Sequence, residues 1–461
     1  MQKKETATFS LVSFLSKHGL TAALGVLLLV LPFNIAYHFD SSRAYIEGRF
    51  VNYLDFVVHI VDVGVLVWLA TALYVGKLWR DRRFLKIVVL LGALVLFQLV
   101  VFRNAVVLYT GIRLFLYGSG VAAIVLINRI SAAAENGKWL KNIAVPLLFC
   151  VSVSAVLQSV LAIVQFTTGH VLGLSALGES VVSVGAAGGS SVFLSDGYHL
   201  RGYGTFPHPN VLGGYLVVSL LLLLRFSENV SAKFRICLIP AILLILAGVG
   251  ATWSRVAWGL AVIVLVAWGL HFLLLKRIRY RSLTIVAGVV ILIAGTLFVA
   301  VGTGSLPVSL RGRLIEQTAS SDVSVVERKD LADRAFDMLR KHPWTGVGLG
   351  QYIPKLSDDP VYTEGGIRVM QPAHSVPLLV LAEVGIVGAA LLGAVLYVLF
   401  SSTRVSFYLA LSVLVYAGMG VLDHYVWTLP QGMILLGMLF LVVLSSQSAM
   451  PSLRGKRSSS R

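Results

Sequence analysis

The sequence predicts an all-α polytopic membrane protein with about twelve transmembrane helices. Hydrophobic residues make up 57% of the 461 residues, charged residues make up 13%, and the mean hydropathy is +0.85. A water-soluble domain normally carries about 25% charged residues. A membrane-spanning helix needs about 20 mostly apolar residues. Twelve such segments follow one another, at 19–37, 56–76, 87–102, 105–127, 143–165, 208–224, 236–252, 256–275, 282–302, 375–400, 405–422 and 429–446.

The distribution of charge between the loops predicts the orientation of these helices. One side of the predicted membrane carries 23 basic and four acidic residues, whereas the remaining 15 basic and 17 acidic residues nearly cancel. Lysine and arginine concentrate on the cytoplasmic side of membrane proteins. Both termini are therefore expected in the cytoplasm, in a multi-pass arrangement in the cytoplasmic (inner) membrane. Because topology accounts for the net charge of +17, the expected partners include membrane lipids and no nucleic acid.

This topology divides the chain into six regions. The first apolar run has no small-x-small cleavage site, so an uncleaved helix is expected there. Cys150 and Cys237 fall inside predicted spans, which argues against a disulfide framework. The regions are an N-terminal five-helix membrane region (1–165), a first periplasmic loop (166–207), central membrane helices (208–302), a large periplasmic loop (303–374), C-terminal membrane helices (375–446) and a basic cytoplasmic tail (447–461).

The two long periplasmic loops differ in composition. The segment from Val171 to Gly197 is rich in Gly, Ser and Val, which favours a small β-hairpin with its turn at Gly188-Gly189. In the larger loop, apolar residues recur at helical spacing between charged ones and predict an amphipathic helix over 323–341. His342-Pro343 is expected to end this helix.

Three residues at the outer ends of predicted spans have side chains suited to chemistry. They are Arg201 before span six, Arg255 at the start of span eight and His374 at the start of span ten. Two guanidinium groups suit a phosphate or carboxylate, and a histidine takes up a proton near neutral pH. Together they are what transfer of a group from pyrophosphate to a hydroxyl requires. The alternative is that such residues only anchor helix ends.

Two charged residues lie within predicted spans. Arg113 is about eight residues into span four, and an arginine at that depth indicates either a functional site or a partner such as Asp62 in span two. Glu383 in span ten is expected either to contact substrate or to hold an arginine in place.

Metal and nucleotide cofactors are not expected. The segment Gly346-Val-Gly-Leu-Gly350 follows an amphipathic helix and lacks a Gly-Lys-Ser/Thr ending, so its glycines fit turns better than a nucleotide loop. Neither an HExxH motif, a Cys/His cluster nor a DxD pair occurs in the outer loops of the sequence.

Five blocks of this sequence resemble the O-antigen ligase/polymerase superfamily. The segment Arg201-Gly-Tyr-Gly-Thr-Phe-Pro-His-Pro-Asn210 is similar to the opening of that family's domain. The other four blocks are Thr252-Trp-Ser-Arg255-Val-Ala-Trp-Gly259, His342-Pro-Trp-Thr-Gly-Val-Gly-Leu-Gly350, His374 through Gly388, and Asp423-His-Tyr-Val-Trp-Thr428. The blocks occur in order over about 200–430, and the first five spans are similar only in being hydrophobic.

The resemblance implies a glycosyltransferase that is GT-C-like in overall style and acts without metal or nucleotide. Such enzymes take a glycan from undecaprenyl pyrophosphate at the periplasmic face and transfer it to a glycan, lipid or protein acceptor. By motif, Arg201 and Arg255 would hold the pyrophosphate and His374 would orient or deprotonate the acceptor hydroxyl. Ser375 and Pro377 follow His374 where many relatives have Asn and an aromatic residue, which leaves acceptor recognition open. Further substrate contacts are expected from Arg113, His208, Asn210, Arg328, Glu383 and His424.

Several functions stay open at this point. A ligase and an O-antigen or exopolysaccharide polymerase share the domain and differ in their acceptor. A transporter or lipid-linked-oligosaccharide flippase would carry charges through its core towards both faces, whereas the polar groups here concentrate at the outer mouth. A non-catalytic scaffold would tolerate loss of His374. Among these, a ligase-type transferase is favoured, and inversion at the anomeric carbon would follow from a single in-line displacement.

Overall fold

The computed structural model describes residues 11–39, 42–46, 48–134, 138–184, 189–194, 197–228, 231–274, 323–362, 366, 368–401 and 406–447. Within these ranges the chain is mainly helical. The helices are α1 (Leu11–Val30), α2 (Ile60–Tyr74), α3 (Arg82–Phe102), α4 (Ala105–Ala134), α5 (Lys138–Thr168), α6 (Pro209–Ser227), α7 (Ala232–Ala251), α8 (Arg255–Leu274), α9 (Val323–Lys341), α10 (Tyr352–Leu356), α11 (Val376–Phe400), α12 (Phe407–Leu422), α13 (Tyr425–Thr428) and α14 (Pro430–Gln447). The strands are β1 (Ala36–Phe39), β2 (Tyr45–Ile46), β3 (Arg49–Phe50), β4 (Phe56–His59), β5 (Ser191–Leu194) and β6 (Gly197–Leu200).

The described helices have the apolar character of a membrane protein. Four of them are long and apolar enough to cross a bilayer: Arg82–Phe102, Ala105–Ile127, Phe149–Thr168 and Val376–Phe400. Seven shorter apolar helical segments of 10–17 residues accompany them. An all-α membrane protein is therefore supported, whereas the number of twelve crossings stays a prediction. The predicted span at 282–302 lies outside the described residues.

The break between the third and fourth predicted spans has a clear local cause. Helix α3 is followed by Arg103 in the left-handed conformation (φ 44°), whose N–H donates to Leu99 O. The Asn104 side chain then accepts a hydrogen bond from Val106 N–H at 2.7 Å at the start of α4. A left-handed residue and an asparagine are typical of a helix end and a helix start. The predicted break is thus confirmed.

The predicted end of the first span is wrong. Helix α1 ends at Val30, and the residues up to position 37 were expected to continue it. Ala36 and Tyr37 instead lie in β1, where they pair with His59 and Val58 of β4. Hydrophobicity alone did not distinguish an apolar strand from the last turn of a helix.

Helix α6 lies at the centre of the bundle. All side chains from Val211 to Leu224 are at most 1% exposed, and the helix contacts α5, α7, α8 and α14. A helix that is apolar on all sides is stable only when it is surrounded. Gly214 of α6 lies against the hydroxyl of Tyr425, so close that a Cβ on residue 214 would collide with it. The outer end of α6 is therefore held directly against α13.

Residues 31–59, the N-terminal outer loop, form a folded unit that the sequence analysis did not predict. Strand β1 pairs with β4, and β2 pairs with β3, both antiparallel. Val51 and Leu54 of this loop share a buried apolar cluster with Leu331 of α9 and Tyr352 of α10. The N-terminal outer loop and the large outer loop thus have a common hydrophobic core above the helix bundle.

The predictions for the two long outer loops hold in most respects. Strands β5 and β6 form the expected small hairpin, with Ser191 opposite Leu200 and Leu194 opposite Gly197. Because the last pair of the hairpin is Leu194 with Gly197, the prediction of its turn at Gly188-Gly189 is wrong. The predicted amphipathic helix at 323–341 is confirmed as α9.

The segment after α9 docks onto a break in α11. Gly385 interrupts that helix with φ 64° and ψ −172°, a combination open to glycine alone. The break lets backbone groups pair with the loop: Val347 N–H donates to Ala382 O at 2.9 Å, and Gly348 N–H donates to Glu383 O at 2.8 Å. The large outer loop is thereby attached to the outer half of α11, the helix that begins two residues after His374.

The glycine-rich segment of this loop consists of turns, as its sequence indicates. Gly346, Gly348 and Gly350 all have positive φ angles, of 64°, 109° and 69°. The Gln98 side chain of α3 donates to Thr345 O at 3.1 Å and accepts from Leu349 N–H at 3.2 Å. The segment therefore connects α3 with α11.

Replacing Gly385 by alanine is expected to destabilise the protein by about 3 kcal/mol or more. The new Cβ would lie 2.5 Å from backbone atoms of Trp344 and Gly346, in addition to the strain of a positive φ. The measurement is the apparent melting temperature of the detergent-solubilised protein. Gly393→Ala is the matched control, because a Cβ at this position of the same helix meets nothing within 4 Å. Equal stability of the two variants would contradict a structural role for the break.

Candidate active site

A chain of hydrogen bonds at the outer end of α6 joins three separate parts of the fold. The Arg201 side chain donates from Nε to Thr252 O at 2.7 Å and from Nη2 to Asn210 Oδ1 at 2.8 Å. Asn210 Nδ2 donates to Asp423 Oδ2 at 2.7 Å. Arg201 is only 7% exposed and Asp423 5%. The segment before α6, the α7–α8 junction and the α12–α13 junction therefore meet at one buried polar site.

The turn between α7 and α8 supplies the backbone acceptor for Arg201. Thr252 ends α7 by donating its hydroxyl to Val249 O at 2.7 Å. Trp253 then adopts a positive φ of 48°, which reverses the chain before α8 begins at Arg255. The turn thus brings a free carbonyl to Arg201 and starts α8 with a second arginine three residues later.

Two histidines adjoin Asp423. His374 lies just before α11, and His424 follows Asp423 just before α13. Their ring centroids are 5.1 Å apart at an interplanar angle of 75°. Potential donor atoms of His374, Asp423 and His424 all lie within 4.8 Å of one another. We call these three residues, together with His208, the His–Asp cluster.

The histidines differ in how their ring nitrogens are occupied. His208 Nε2 lies 2.9 Å from Ser190 Oγ, and its Nδ1 accepts from Asn210 N–H at 3.1 Å. His424 Nδ1 lies 2.8 Å from Thr428 Oγ1. In contrast, the buried Nδ1 of His374 has no hydrogen-bond partner among the residues that the structure describes. Among the Nδ1 atoms of these three histidines, that of His374 is therefore the one without a hydrogen-bond partner in the described part of the chain, and we call it open in this sense.

Electrostatics keep the histidines neutral and Asp423 charged at neutral pH. Burial, His424 and Arg328 lower the pKa of His374 to about 4, although Asp423 opposes the shift. Burial and Arg201 lower the pKa of His208 to about 3. Burial raises the pKa of Asp423, but the neighbouring histidines and the hydrogen bond from Asn210 outweigh it and the pKa falls. The site thus holds a carboxylate beside neutral imidazoles, which can accept protons.

Two imidazoles and a carboxylate are also a common donor set for divalent metals. Here, however, the oxygens of Asp423 already accept hydrogen bonds from Asn210 Nδ2 and from His424 N–H at 2.8 Å. The positive charges of Arg201 and Arg328 act on the same cluster and oppose a further cation. These contacts favour proton transfer and anion binding over a metal centre.

Of the predicted residues Arg255 and Arg328, Arg328 acts on this cluster, and Arg255 follows the turn that holds Arg201. Arg255 is half-buried at the first position of α8, three residues after the carbonyl that holds Arg201. Arg328 is half-buried on α9 and close enough to lower the pKa of both His374 and His424. The large outer loop therefore contributes an arginine to the site, and α8 begins with another close in sequence to the carbonyl that holds Arg201.

Glu383 lies in the wall of the site and holds other protein groups. Its carboxylate accepts from Trp427 Nε1 at 3.1 Å, and its backbone carbonyl accepts from Gly348 N–H at 2.8 Å. It thus ties the glycine-rich segment to Trp427, three residues after His424. These contacts account for a buried acid at position 383 without the arginine partner or the substrate contact that the sequence suggested.

Arg113 is part of a separate polar cluster between α2 and α4. Its Nη2 lies 3.6 Å from Asp62 Oδ1, and its Nη1 donates to the Tyr109 hydroxyl at 2.6 Å. The hydroxyl of Tyr117 also donates to Asp62. The pairing with Asp62, the alternative that the sequence left open for Arg113, is thus present.

Two residues of the site were missed by the sequence analysis. The sequence contains a signal for Asp423, because this acidic residue lies next to His424 between two apolar segments. Tyr53 of the N-terminal outer loop had none: its ring packs edge-to-face on His424, with centroids 5.6 Å apart. That contact depends on the tertiary packing of a loop more than 300 residues away in sequence.

Comparison with known protein families gives one match that overlaps part of this site. The O-antigen ligase family model matches residues 240–393, about a third of the chain. The matched segment includes Arg255, Arg328, His374 and Glu383. The Arg201–Asn210 segment and the Asp423–His424 pair lie outside it. No curated protein matches the chain. This match makes residues 240–393 similar to the O-antigen ligase family and supports a relation of the chain to the O-antigen ligase/polymerase superfamily.

Proposed function

We propose that the protein transfers a glycan from undecaprenyl pyrophosphate to an acceptor hydroxyl at the outer face of the cytoplasmic membrane. The observation that carries this proposal is the juxtaposition of a fixed arginine with a histidine whose buried nitrogen is open. Arg201 is linked through Asn210 and Asp423 to the cluster that contains His374. An anion anchor and a proton acceptor thus belong to one rigid network.

The donor pyrophosphate binds at Arg201 and Arg255. The Arg201 guanidinium is oriented by Thr252 O and Asn210, so its charge is in place before the donor arrives. Preorganised positive groups stabilise the charge that develops on a departing pyrophosphate. A lipid-linked donor reaches such a site sideways from the bilayer, at the level of the helix ends that carry both arginines.

His374 acts on the acceptor. The acceptor oxygen attacks the anomeric carbon, the bond from that carbon to the phosphate oxygen breaks, and undecaprenyl pyrophosphate leaves with the electron pair. The hydroxyl proton passes to the neutral imidazole of His374. A single in-line displacement inverts the anomeric centre. Because pyrophosphate is a good leaving group once paired with arginine, a weakly basic histidine suffices.

The same proposal includes the topology. Twelve crossings with both termini in the cytoplasm put the outer ends of α6, α8 and α11 on the periplasmic side, in line with the basic inner loops. Active-site residues then meet the acceptor outside the cytoplasm. The location of the Arg201–Asn210–Asp423 network and the His–Asp cluster together at this one end supports a transferase over a transporter or flippase.

The test is transfer by purified wild-type protein in proteoliposomes. The donor is an undecaprenyl-pyrophosphate-linked repeat unit, and EDTA is present without any nucleotide. The acceptors, supplied separately, are lipid A–core from cells lacking O-antigen and a second lipid-linked repeat unit. Product on lipid A–core identifies a ligase, and elongation of the lipid-linked glycan identifies a polymerase. A folded protein that transfers to neither acceptor, with or without Mg²⁺, would contradict the transferase.

A further inference from the structure

Tyr53 extends the wall of the His–Asp cluster. It lies in a short turn, Asn52–Leu54, between β3 and β4. Its ring meets that of His424 edge-to-face, at 5.6 Å between centroids and an interplanar angle of 81°. His424 in turn meets His374 in the same manner at 5.1 Å. Three aromatic rings from three distant parts of the chain therefore form one continuous surface that ends at the open histidine.

The backbone around Tyr53 is fixed on both sides. Val51 and Leu54 are buried in the apolar cluster shared with α9 and α10. Further along, Val57 N–H donates to the Tyr109 hydroxyl at 3.1 Å, and this hydroxyl donates back to Val57 O at 2.8 Å. Tyr53 itself remains half-buried. A rigid segment thus places a half-buried tyrosine beside the cluster, which is the arrangement of a preformed binding wall.

The position of Tyr53 assigns this wall to the acceptor. Arg201, which holds the donor in the proposed function, acts electrostatically on His208. Tyr53 lies next to His424, whose pKa responds to burial, Asp423 and Arg328. The acceptor hydroxyl has to reach His374, only one ring further along the same surface. A tyrosine offers a large apolar face with a polar edge, which suits the C–H face of a sugar ring.

We infer that the turn Asn52–Leu54 of the N-terminal outer loop forms the acceptor wall of the active site, and that Tyr53 packs against the acceptor sugar and positions its hydroxyl at His374. This inference rests on the proposed function. It gives the N-terminal outer loop, which lies outside the segment that matches the family, a part in selecting the acceptor. Tyr53 is a positioning residue and takes no part in the bond changes.

The experiment measures transfer kinetics in proteoliposomes while acceptor and donor concentrations are varied separately. The acceptor is whichever of lipid A–core and the lipid-linked repeat unit wild type uses. Tyr53→Ala is expected to raise the acceptor KM about tenfold and to change the donor KM less than about twofold. Tyr53→Phe keeps the ring and is expected to stay within about threefold of wild type. Tyr45→Ala removes an aromatic residue that is 54% exposed on the same loop and is the matched control, with wild-type kinetics expected.

Several outcomes would overturn the inference. An unchanged acceptor KM in folded Tyr53→Ala would do so, and so would equal changes in both KM values. If Tyr53→Ala does not fold, Tyr53→Leu preserves apolar bulk without the ring, and an acceptor KM like that of wild type would again overturn it. Wild type that transfers to neither acceptor refutes the proposed function itself, and the inference falls with it.

Discussion

Replacing His374 by alanine is expected to lower the rate of glycan transfer by about a thousandfold, because the reaction loses its proton acceptor. The His374 Nδ1 is buried and open, whereas Nδ1 of His208 and of His424 is engaged by Asn210 N–H and by Thr428 Oγ1. The measurement is single-turnover transfer in proteoliposomes at saturating donor and acceptor. Such conditions report the chemical step separately from binding.

The lowered pKa of His374 predicts how the reaction depends on pH. The base acts in its neutral form, and its pKa is lowered to about 4 by burial, His424 and Arg328. Transfer by wild type is therefore expected to be constant from about pH 6 to 8 and to decrease as the pH falls through about 4. As a control, circular dichroism of the helices is measured at each pH to establish that the protein is folded there.

The matched control for His374→Ala is His342→Ala, because His342 is an exposed histidine of the same outer loop. Its transfer rate is expected to equal that of wild type. Retained activity in His374→Ala together with loss in His424→Ala would move the base to His424. Retained activity in all three histidine variants of the cluster would refute general-base catalysis at this site.

Replacing Arg201 by alanine is expected to lower kcat/KM for the donor by about a hundredfold to a thousandfold. The change removes the positive charge and two hydrogen bonds, to Thr252 O and to Asn210. Asn210 would then be less firmly held against Asp423, so the catalytic cluster is affected as well. Arg201→Lys keeps the charge but loses the planar fork, and a loss of about tenfold is expected.

The matched control is Arg340→Ala, which removes an exposed arginine from α9 on the same side of the protein. Donor kinetics like those of wild type are expected. The apparent melting temperature of each variant separates loss of binding from loss of folding. If folded Arg201→Ala keeps the donor KM and kcat of wild type, the pyrophosphate is bound elsewhere.

Much of the fold was predictable because bilayer-crossing helices have a strong local signal. The break between α3 and α4 follows from residues on either side of it, and α9 from apolar residues at helical spacing. The N-terminal outer loop was missed, because its strands are short and it is held by distant residues such as Leu331 and Tyr352. The turn of the β5–β6 hairpin was misplaced for a related reason, since several glycines compete for such a position.

The candidate site shows the same division. Motif and topology indicated Arg201, Arg255 and His374 as residues of one outer surface. They did not indicate that Asn210 joins Arg201 to Asp423, or that Glu383 holds Trp427 and the backbone of the glycine-rich segment. A side chain identifies the chemistry that a residue can perform, whereas its neighbours decide whether it performs chemistry or holds the structure.

The sequence by itself therefore determined the class of protein, and it predicted the side of the membrane on which the site lies and the types of residue in that site. These properties depend on local hydrophobicity and charge. Only the tertiary structure decided which histidine has an open nitrogen, that Arg113 is paired with Asp62, and that Tyr53 reaches the cluster. Each of these depends on contacts between segments far apart in the chain, which the packing of α6, α11 and the outer loops brings together.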